Sequence, residues 1–382
     1  MRGLSLCACA ALVLAAAAFG GTSESPTPAQ ALADLNQWRA EAGEARVLRF
    51  TAAYDSGCAG HDHYMNLLGH LIHPEDPSQP GYTPASADAG VNSVLAEPEG
   101  LPKATWVDSV YHRMGVLQPR LRISGFAASE GYVCLRTGGP AIDDSPSART
   151  SKLTLYPWPP NGATDQPVTF GHAAEETPSP LVDAHGAKSL GLLLSVNVNG
   201  PWSDYRAPQT LLTGASLVSA AGVGVPLAFS DSSTANGGYL SGGFALLPLH
   251  ALDPGTAYTA HAAGAVTAFG ISYPFAITWH FSTKAACTTP EISAPDQVVV
   301  PSSLKFSFPV SLTCNGDTLG GQELSVSVVQ GGVAHPLPNI PTYSSPSTLT
   351  ITLGAAADEV LLNYAGGDGL APATHVITLS SG

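Results

Sequence analysis

Histidines are concentrated near the start of this 382-residue chain, where five of the twelve lie between residues 61 and 112. Histidine is the commonest metal ligand and the usual acid or base near neutral pH. Acidic residues follow one of them directly, in the run LIHPEDP. This pattern indicates a candidate site for binding or proton transfer, provided that the local elements bring the side chains together. The five are His61, His63, His70, His73 and His112.

Two predicted helices carry the first of these histidines. Residues 27–30, Thr-Pro-Ala-Gln, have the pattern of a capping box with proline in the first helical turn. A second helix is predicted over 47–71, because apolar residues recur there at helical spacing. His61 lies on the apolar face of this second helix. His63 and His70 share the opposite face and are expected to be solvated.

The remaining choice is between a structural and a ligand-binding role for each histidine. For His61, a packed histidine that is hydrogen-bonded to a neighbour is favoured over a ligand. His73 follows the second helix, beside Glu75, and His112 lies in a third helix predicted over 103–117. Both positions are at the end of an element, where side chains can converge on a cleft. For His73 and His112 the two alternatives stay open.

The chain carries no complete catalytic motif. It has no G-x-S-x-G, no H-E-x-x-H and no P-loop lysine motif. Ser109 precedes His112 by three residues, but one serine near one histidine is weak evidence for a nucleophile and its base. These observations favour a binding protein over an enzyme.

The N-terminal segment predicts export. Residues 1–21 combine Arg2, an apolar run and small residues before a cleavage position, which is typical of a secretory signal peptide. No later stretch is apolar enough to span a bilayer. We therefore expect a protein that is secreted, either outside the cell or into its envelope.

Removal of that segment leaves four cysteines, which suit two disulfides in an exported chain. Three pairings are possible. We prefer Cys58–Cys134 with Cys287–Cys314, because each bridge then lies inside one predicted domain. A cysteine-based zinc site is disfavoured by the absence of Cys-x-x-Cys spacing.

Composition predicts β-sandwich modules after the helical segment. The chain has 40 glycines and 32 prolines, and only 12% of its residues are charged. Tyr258 follows the turn LDPG and enters a predicted strand, which is the setting of a tyrosine corner in an Ig-like sandwich. The predicted organisation is a helical domain at 27–136, a linker at 137–150, and two β-sandwiches at 151–286 and 287–382.

The charge balance argues against nucleic acid as a partner. The net charge is −14, with only 15 lysines and arginines. Binding to nucleic acid requires clustered basic residues that neutralise phosphates. We expect a protein, lipid or small-molecule partner instead.

The first domain resembles a known family. Residues 30–135 contain LNQWRAEAG, HDHYM, LIHPEDP, GVNSVLA, WVDSVYHR and LQPRLRISGF in an order that resembles a bacterial CAP (SCP-like) domain. This is the superfamily of cysteine-rich secretory proteins, antigen 5 and plant pathogenesis-related proteins. The region that follows looks like the Ig-like module found behind some bacterial CAP domains. The resemblance implies a multidomain fold, an α+β CAP sandwich of α–β–α type followed by two all-β Ig-like sandwiches.

The resemblance also implies a cleft. In many members two histidines and two acidic residues line it, and it can hold a divalent cation such as zinc or magnesium. His73 matches the first histidine and His112 matches the bacterial His-Arg position, so these two are the expected metal ligands. The family's Gly-Glu-Asn motif reads Gly-Val-Asn here, and Val91 can neither ligate a metal nor transfer a proton. Glu75 is the candidate substitute for the missing carboxylate.

Three functions follow from these observations. The main expectation is an extracellular or envelope binding protein whose cleft, formed by His61, His73, Glu75 and His112, binds a small ligand or a divalent cation. The first alternative is a peptidase-like hydrolase that uses the cleft histidines, which requires those side chains to meet at about 3 Å. The second alternative is a purely structural or adhesive surface module.

Overall fold

The computed structural model describes most of the chain after residue 25. The predicted signal peptide lies outside the described residues. Within them, no helix is long and apolar enough to cross a membrane. The described residues form two compact units, which meet in sequence at Ala285 and Ala286. They comprise 26–97, 104–170, 177–185, 187, 190–315, 317–319, 322–342, 347–366 and 370–381.

The first unit begins with four helices and five short strands. The helices are α1 (Pro28–Glu41), α2 (Ala52–Leu68), α3 (Pro84–Val91) and α4 (Val110–Val116). The strands are β1 (Arg49–Phe50), β2 (Ser93–Ala96), β3 (Ile123–Ser124), β4 (Phe126–Ser129) and β5 (Tyr132–Arg136). We call this part, up to residue 136, the helical part.

The sheet of the helical part is covered on both faces. Its strand order is β2-β5-β4, and successive residues of a strand point to opposite faces. Val94 and Val133 pack on one face with Leu35 of α1. On the other face, Leu95 packs with Met65 of α2 and with α3. The alternation of apolar residues thus builds three layers, helix, sheet and helix.

Two predicted helices differ from the observed ones. The first turn of the segment predicted as 47–71 is extended, because Arg49–Phe50 pairs with Ile123–Ser124 and Thr51 then caps α2. That helix ends at Gly69, whose φ of +74° suits glycine. The segment predicted as one helix over 103–117 is broken at Ser109, with a wide turn at 104–108 before α4. The capping box at Thr27 is observed as predicted.

The rest of the first unit is a two-sheet β-sandwich. Its sheets have the orders β10-β11-β8-β6 and β7-β13-β12-β9. These orders correspond to the A-B-E-D and C-F-G arrangement of Ig-type sandwiches, with β7 as an added strand beside the last one. The strands are β6 (Thr154–Trp158), β7 (Ala163–Gln166), β8 (Leu194–Asn199), β9 (Gln209–Ser219), β10 (Leu227–Ser230), β11 (Phe244–Pro248), β12 (Ala257–Ala268) and β13 (Ile271–Thr283).

The tyrosine corner is present in this sandwich. The hydroxyl of Tyr258, at the start of β12, accepts a hydrogen bond from the Asp253 main-chain N–H at 2.8 Å. The bond closes the turn that the sequence LDPG begins. The Ig-like prediction for this region is therefore confirmed by its strand order and by this contact.

The second unit is a further β-sandwich. A five-stranded sheet, β15-β22-β21-β18-β19, faces a sheet in which β16 pairs with β14, β17 and β20. Its core is formed by alternating residues of both sheets. The strands are β14 (Glu291–Ser293), β15 (Gln297–Val300), β16 (Lys305–Cys314), β17 (Asp317–Thr318), β18 (Glu323–Gln330), β19 (Val333–Pro341), β20 (Ser347–Thr352), β21 (Glu359–Tyr364) and β22 (Ala373–Ser381).

Both preferred disulfides are formed. Cys58 of α2 is bonded to Cys134 of β5, and Cys287 is bonded to Cys314 of β16. The first bridge joins a helix to the sheet beneath it. The second joins the start of the second unit to its own core strand.

The segment for which a linker was predicted, 137–150, is packed against the first unit. It contains two short 3₁₀ turns, and Ala141 and Ala148 are buried. Asp144 forms an ion pair with Arg120 at 2.8 Å. The predicted domain boundaries on either side of this segment therefore fall inside one compact unit, and they stay predictions.

Candidate functional site

His61 and Glu75 form a completely buried pair. Thr51 caps α2, and His61 lies three turns further along on its buried face. Both side chains of the pair are 0% exposed, and His61 Nδ1 lies 2.8 Å from Glu75 Oε1. His61 Nε2 lies 2.8 Å from the carbonyl oxygen of Ile72. This is the environment that the packed-histidine alternative for His61 requires.

The geometry of this pair fixes its proton count. A carbonyl oxygen only accepts hydrogen bonds, so His61 Nε2 carries a proton and donates it to Ile72. Nδ1 and Glu75 Oε1 therefore need a second proton between them, held on either partner. The pair is neutral overall in both cases, which is what complete burial favours.

Neighbours hold Glu75 in place from the other side. Its second oxygen, Oε2, accepts a hydrogen bond from the Ser86 hydroxyl of α3 at 2.9 Å. α3 approaches very closely here, because a Cβ on Gly90 would lie 2.3 Å from the His73 carbonyl oxygen and 2.4 Å from His61 Cε1. Only glycine fits at that position, and it brings α3 against both histidines.

His73 is held by the same helix, α3. Its Nδ1 lies 2.8 Å from the Gly90 carbonyl oxygen, so Nδ1 carries the proton. Burial lowers the pKa of His73 below its ordinary value, and the nearby His112 and His61 lower it further, while the bond to Gly90 opposes them. A neutral His73 with its proton on Nδ1 presents Nε2 as an unprotonated nitrogen, which can accept a hydrogen bond or ligate a metal.

His112 enters the site from α4. Its ring lies 5.4 Å from the ring of Trp106, which is buried in the wide turn before that helix. Because the helix is broken at Ser109, His112 does not lie where a continuous helix over 103–117 would place it. It is half-buried, and its charge is felt at His73.

The structure thus places all four predicted cleft residues in one region. His61 and Glu75 are in direct contact, and His73 lies close enough to His61 and His112 for their charges to act on it. In the part of the chain that the structure describes, no group of three or more His, Cys, Asp or Glu side chains has the arrangement of a metal site. Val91, at the family's carboxylate position, is 59% exposed.

The two histidines expected to be solvated lie on the surface. His63 is paired with Glu130, with 3.0 Å between His63 Nδ1 and Glu130 Oε2. His70 is exposed at the end of α2. These two histidines take no part in the His73 region.

Sequence reasoning missed the most heavily bonded side chains of residues 109–126. Arg113 is fully buried and donates to the Leu193 carbonyl at 2.8 Å, the Ser195 hydroxyl at 3.0 Å and the Val107 carbonyl at 2.9 Å. Two of these three acceptors belong to the β-sandwich. A basic residue at the end of a short helix gave no sign of a partner eighty residues away.

Arg120 is also buried and also donates hydrogen bonds to the sandwich. It donates to Asn199 Oδ1, to the Gly200 carbonyl and to Asp144, each at 2.8 Å. Between the two arginines, Asn197 Nδ2 donates to the carbonyls of Met114 and Leu117. Hydrogen bonds therefore connect the helical part to the sandwich along the whole of β8.

β8 explains how the two parts are joined. All six of its residues are buried. Leu194 and Val196 point into the core of the sandwich, whereas the alternate residues Ser195, Asn197 and Asn199 face the helical part. The one signal available from sequence was the alternation LSVNVN, in which small polar residues occupy one face of a strand. We call this contact the β8 junction.

Comparison with known proteins adds little to this geometry. No protein-family model matches the sequence, and no curated protein matches it. Similar solved structures include a chimeric titin Z1Z2 tandem, at 17% identity over 50% of this chain and 90% of that one, with a TM-score of 0.19. The fibronectin(III)-like modules of Clostridium thermocellum CbhA match at 10% identity over 60% and 94% of the two chains, with a TM-score of 0.21. Sidekick-1 immunoglobulin domains 1–5 match at 9% identity over 50% and 45%, with a TM-score of 0.23. Scores this low carry no argument, so the Ig-like assignment depends on the strand order and on Tyr258.

Proposed function

We propose that this chain is an exported, non-catalytic interaction protein, in which the helical part and the first sandwich act as one rigid binding body. The observation that carries the proposal is the β8 junction, where buried arginines and an asparagine fix one part against the other. Two disulfides are compatible with an extracellular or envelope location. A rigid body of this kind suits a structural or adhesive module, because little conformational entropy is lost when it binds.

The arrangement of the histidines supports binding over hydrolysis. Hydrolysis by acid and base requires groups that exchange protons with a substrate. Both ring nitrogens of His61 and both carboxylate oxygens of Glu75 are hydrogen-bonded within the protein. A hydrolase at this site would therefore lack the carboxylate that Glu75 was expected to supply.

The order of helices and strands in the helical part also suits a CAP-type domain. Its sheet lies between two helical layers, and His73 follows the second helix as in that family's pattern. We propose this family assignment on the residues quoted above and on the layered arrangement.

A direct test of the non-catalytic role measures turnover. The mature chain, without residues 1–21, is incubated with casein and with small esters, and no hydrolysis is expected. Hydrolysis that disappears in a His73→Ala, His112→Ala double variant would overturn the proposal.

A second function, cation or small-ligand binding at the cleft, is favoured by the tautomer of His73. Its Nε2 is an unprotonated imidazole nitrogen, and His112 lies nearby. Imidazole ligands suit zinc, whereas magnesium prefers oxygen. Two imidazoles are fewer than the four ligands of a structural zinc site, so water or a bound molecule would complete the set.

Calorimetry with zinc chloride tests this second function. We expect weak binding to the mature chain and loss of binding in a His73→Gln, His112→Gln variant. A His63→Gln, His70→Gln variant is the matched control, since both residues lie outside the cleft. Equal binding by all three proteins would assign the zinc to other surface histidines. The whole chain is used, because a fragment that ends near residue 136 would expose the buried Arg113 and Arg120.

A further inference from the structure

The connection between the two units is short, and both of its ends are anchored. Lys284 still belongs to the first unit, because its N–H donates to the Gln166 carbonyl at 2.9 Å and its carbonyl accepts from the Gly255 N–H at 2.8 Å. Three residues later along the chain, Cys287 is covalently bonded to Cys314. Tension that passes along the chain from the first unit therefore reaches the second unit at this disulfide.

The first two strands of the second unit have short pairings. β14 pairs with β16 over three residues, and β15 pairs with β22 over four. Both strands also cover the core of this sandwich, because Ile292 of β14 and Val300 of β15 are buried in it. Detachment of β14 and β15 would therefore break few main-chain bonds, but it would open the core to water.

The direction of β15 determines how it responds to tension. β15 and β22 are parallel strands. A load that entered ahead of β14 would pull β15 by its N-terminal end, while a load applied beyond β22 pulls that strand by its C-terminal end. Because the strands are parallel, these two forces act in opposite directions along the strands. The four residue pairs between β15 and β22 would then have to resist the sliding of one strand past the other.

The disulfide changes the point at which tension enters the sandwich. Its two cysteines are 27 residues apart in sequence, and they enclose β14, β15 and β16 in one covalent loop. Tension passes from Cys287 through the two sulfur atoms to Cys314, which is the last residue of β16. The segment between the cysteines cannot lengthen while the disulfide is intact. The end of β16 is therefore loaded in place of β14 and β15.

β16 is held more firmly than the two strands that precede it. It has ten residues and pairs with β20 over six of them, in addition to its pairs with β14 and β17. Four of its side chains are buried in the core, namely Phe306, Phe308, Val310 and Leu312. Withdrawal of β16 must break a longer ladder and expose more apolar surface than withdrawal of β14 or β15.

We propose that the Cys287–Cys314 disulfide makes the second unit resistant to tension, because it transfers the load to β16 and keeps it off β14 and β15. This inference rests on the structural or adhesive role proposed above, since an adhesive protein holds two bodies together under tension. The two proposals fail in different ways. The mechanical property is measured on the chain without any partner, whereas the non-catalytic role is measured as turnover.

Single-molecule force spectroscopy tests the transfer of load. The mature chain is held by enzymatically attached tags at its two ends and is compared with a Cys287→Ser, Cys314→Ala variant. Unfolding of the second unit should release about 90 Å more chain in the variant, because 27 residues extend by roughly 3.3–3.6 Å each. This length difference identifies the unfolding of the second unit in each trace. At one constant load, that event should be at least about tenfold faster in the variant, since forced unfolding depends on the unfolding rate.

Unfolding without load separates this transfer from ordinary stabilisation. A disulfide acts mainly by constraining the unfolded state, so the unfolding rate in urea, followed by far-UV circular dichroism, should rise less than about threefold in the variant. Equal rates under load, or the same increase with and without load, would overturn the proposal. A Cys58→Ser, Cys134→Ser variant is the matched control and should leave the event of the second unit unchanged. Wild type that is reduced after folding, while held at low load, gives the same comparison without refolding of a variant.

Discussion

The two sandwiches show what a second covering layer does to the same kind of strand. β8 of the first sandwich is buried at all six positions. β16 has the corresponding central place in the second sandwich, and its first six residues alternate between exposed and buried. The difference arises because the helical part covers the outer face of β8. A strand with two buried faces must pair its polar side chains within the protein, whereas a strand with one buried face leaves them to water.

Among these substitutions, removal of the Arg113 side chain is expected to lower the free energy of unfolding most. Arg113→Ala leaves the carbonyls of Leu193 and Val107 without their buried donor, so the first unit should lose roughly 2–6 kcal/mol, at about 1–3 kcal/mol for each unsatisfied carbonyl. Lys305→Ala, on the exposed side of β16, should change stability by less than about 0.5 kcal/mol. All five tryptophans precede residue 286, so tryptophan fluorescence during urea unfolding reports on the first unit alone. A loss below about 1 kcal/mol for Arg113→Ala would contradict the view that the β8 junction stabilises the first unit.

A substitution within β8 tests the same face without a change of charge. Asn197→Val removes the donor to the carbonyls of Met114 and Leu117, and we expect a cost of about 2 kcal/mol. The counterpart on β16 is Ser307→Val, whose hydroxyl contacts Thr350 on an exposed face. That change should be close to neutral, as measured by urea unfolding with far-UV circular dichroism. Similar costs for the two variants would mean that the covering layer is not what distinguishes the strands.

Glu44 makes the stability of the first unit depend on pH. It is 7% exposed, and burial raises its pKa to about 8, although Arg39 and Arg122 oppose the rise. In the described residues, its Oε1 has no hydrogen-bond partner. The folded state therefore favours the protonated form, and this contribution to stability is lost as the pH rises from about 4.5 through about 8.

Glu44→Gln should remove that dependence. We expect the wild-type unfolding free energy of the first unit to fall by up to about 1.4 kcal/mol per pH unit in this window. The variant should show a flatter profile in urea titrations that are followed by tryptophan fluorescence. Equal slopes in the two proteins would place the ionisation of Glu44 outside the window.

Several features of the fold could be predicted from the sequence. Local signals were sufficient for the capping box at Thr27, the corner at Tyr258 and the two disulfides, because each depends on neighbouring residues or on a small set of pairings. The sandwich partners of Arg113 and Arg120 lie about eighty residues away, and no periodicity reports such contacts. The break at Ser109 was missed for a related reason, since the apolar stripe over 103–117 continues across it.

The candidate site was predictable only in part. The four cleft residues were predicted from their types, their order and the family resemblance. The structure places them in one region, and their shared role stays a prediction. The contact of His61 with Glu75 depends on how the loop after α2 folds back under Gly90, which spacing alone does not specify. Spacing therefore did not predict that His61 and Glu75 would bond to each other, and the role of the four residues as a cleft stays a prediction.

Loss of one tyrosine hydroxyl is expected to have the least effect on the stability of either sandwich. Tyr258→Phe removes the bond to the Asp253 N–H in the first sandwich, and Tyr364→Phe removes the bond to Gln322 Oε1 in the second, which is 3.0 Å long. Each should cost about 1 kcal/mol, because each removes a hydrogen bond that is internal to its sandwich. Urea unfolding followed by tryptophan fluorescence and by far-UV circular dichroism separates the two units. Equal costs would show that the sandwiches are alike within their own layers, and that the difference between β8 and β16 comes from the helical part. A much larger cost for Tyr258→Phe would mean that the covering layer also stabilises the corner, and that the junction extends beyond β8.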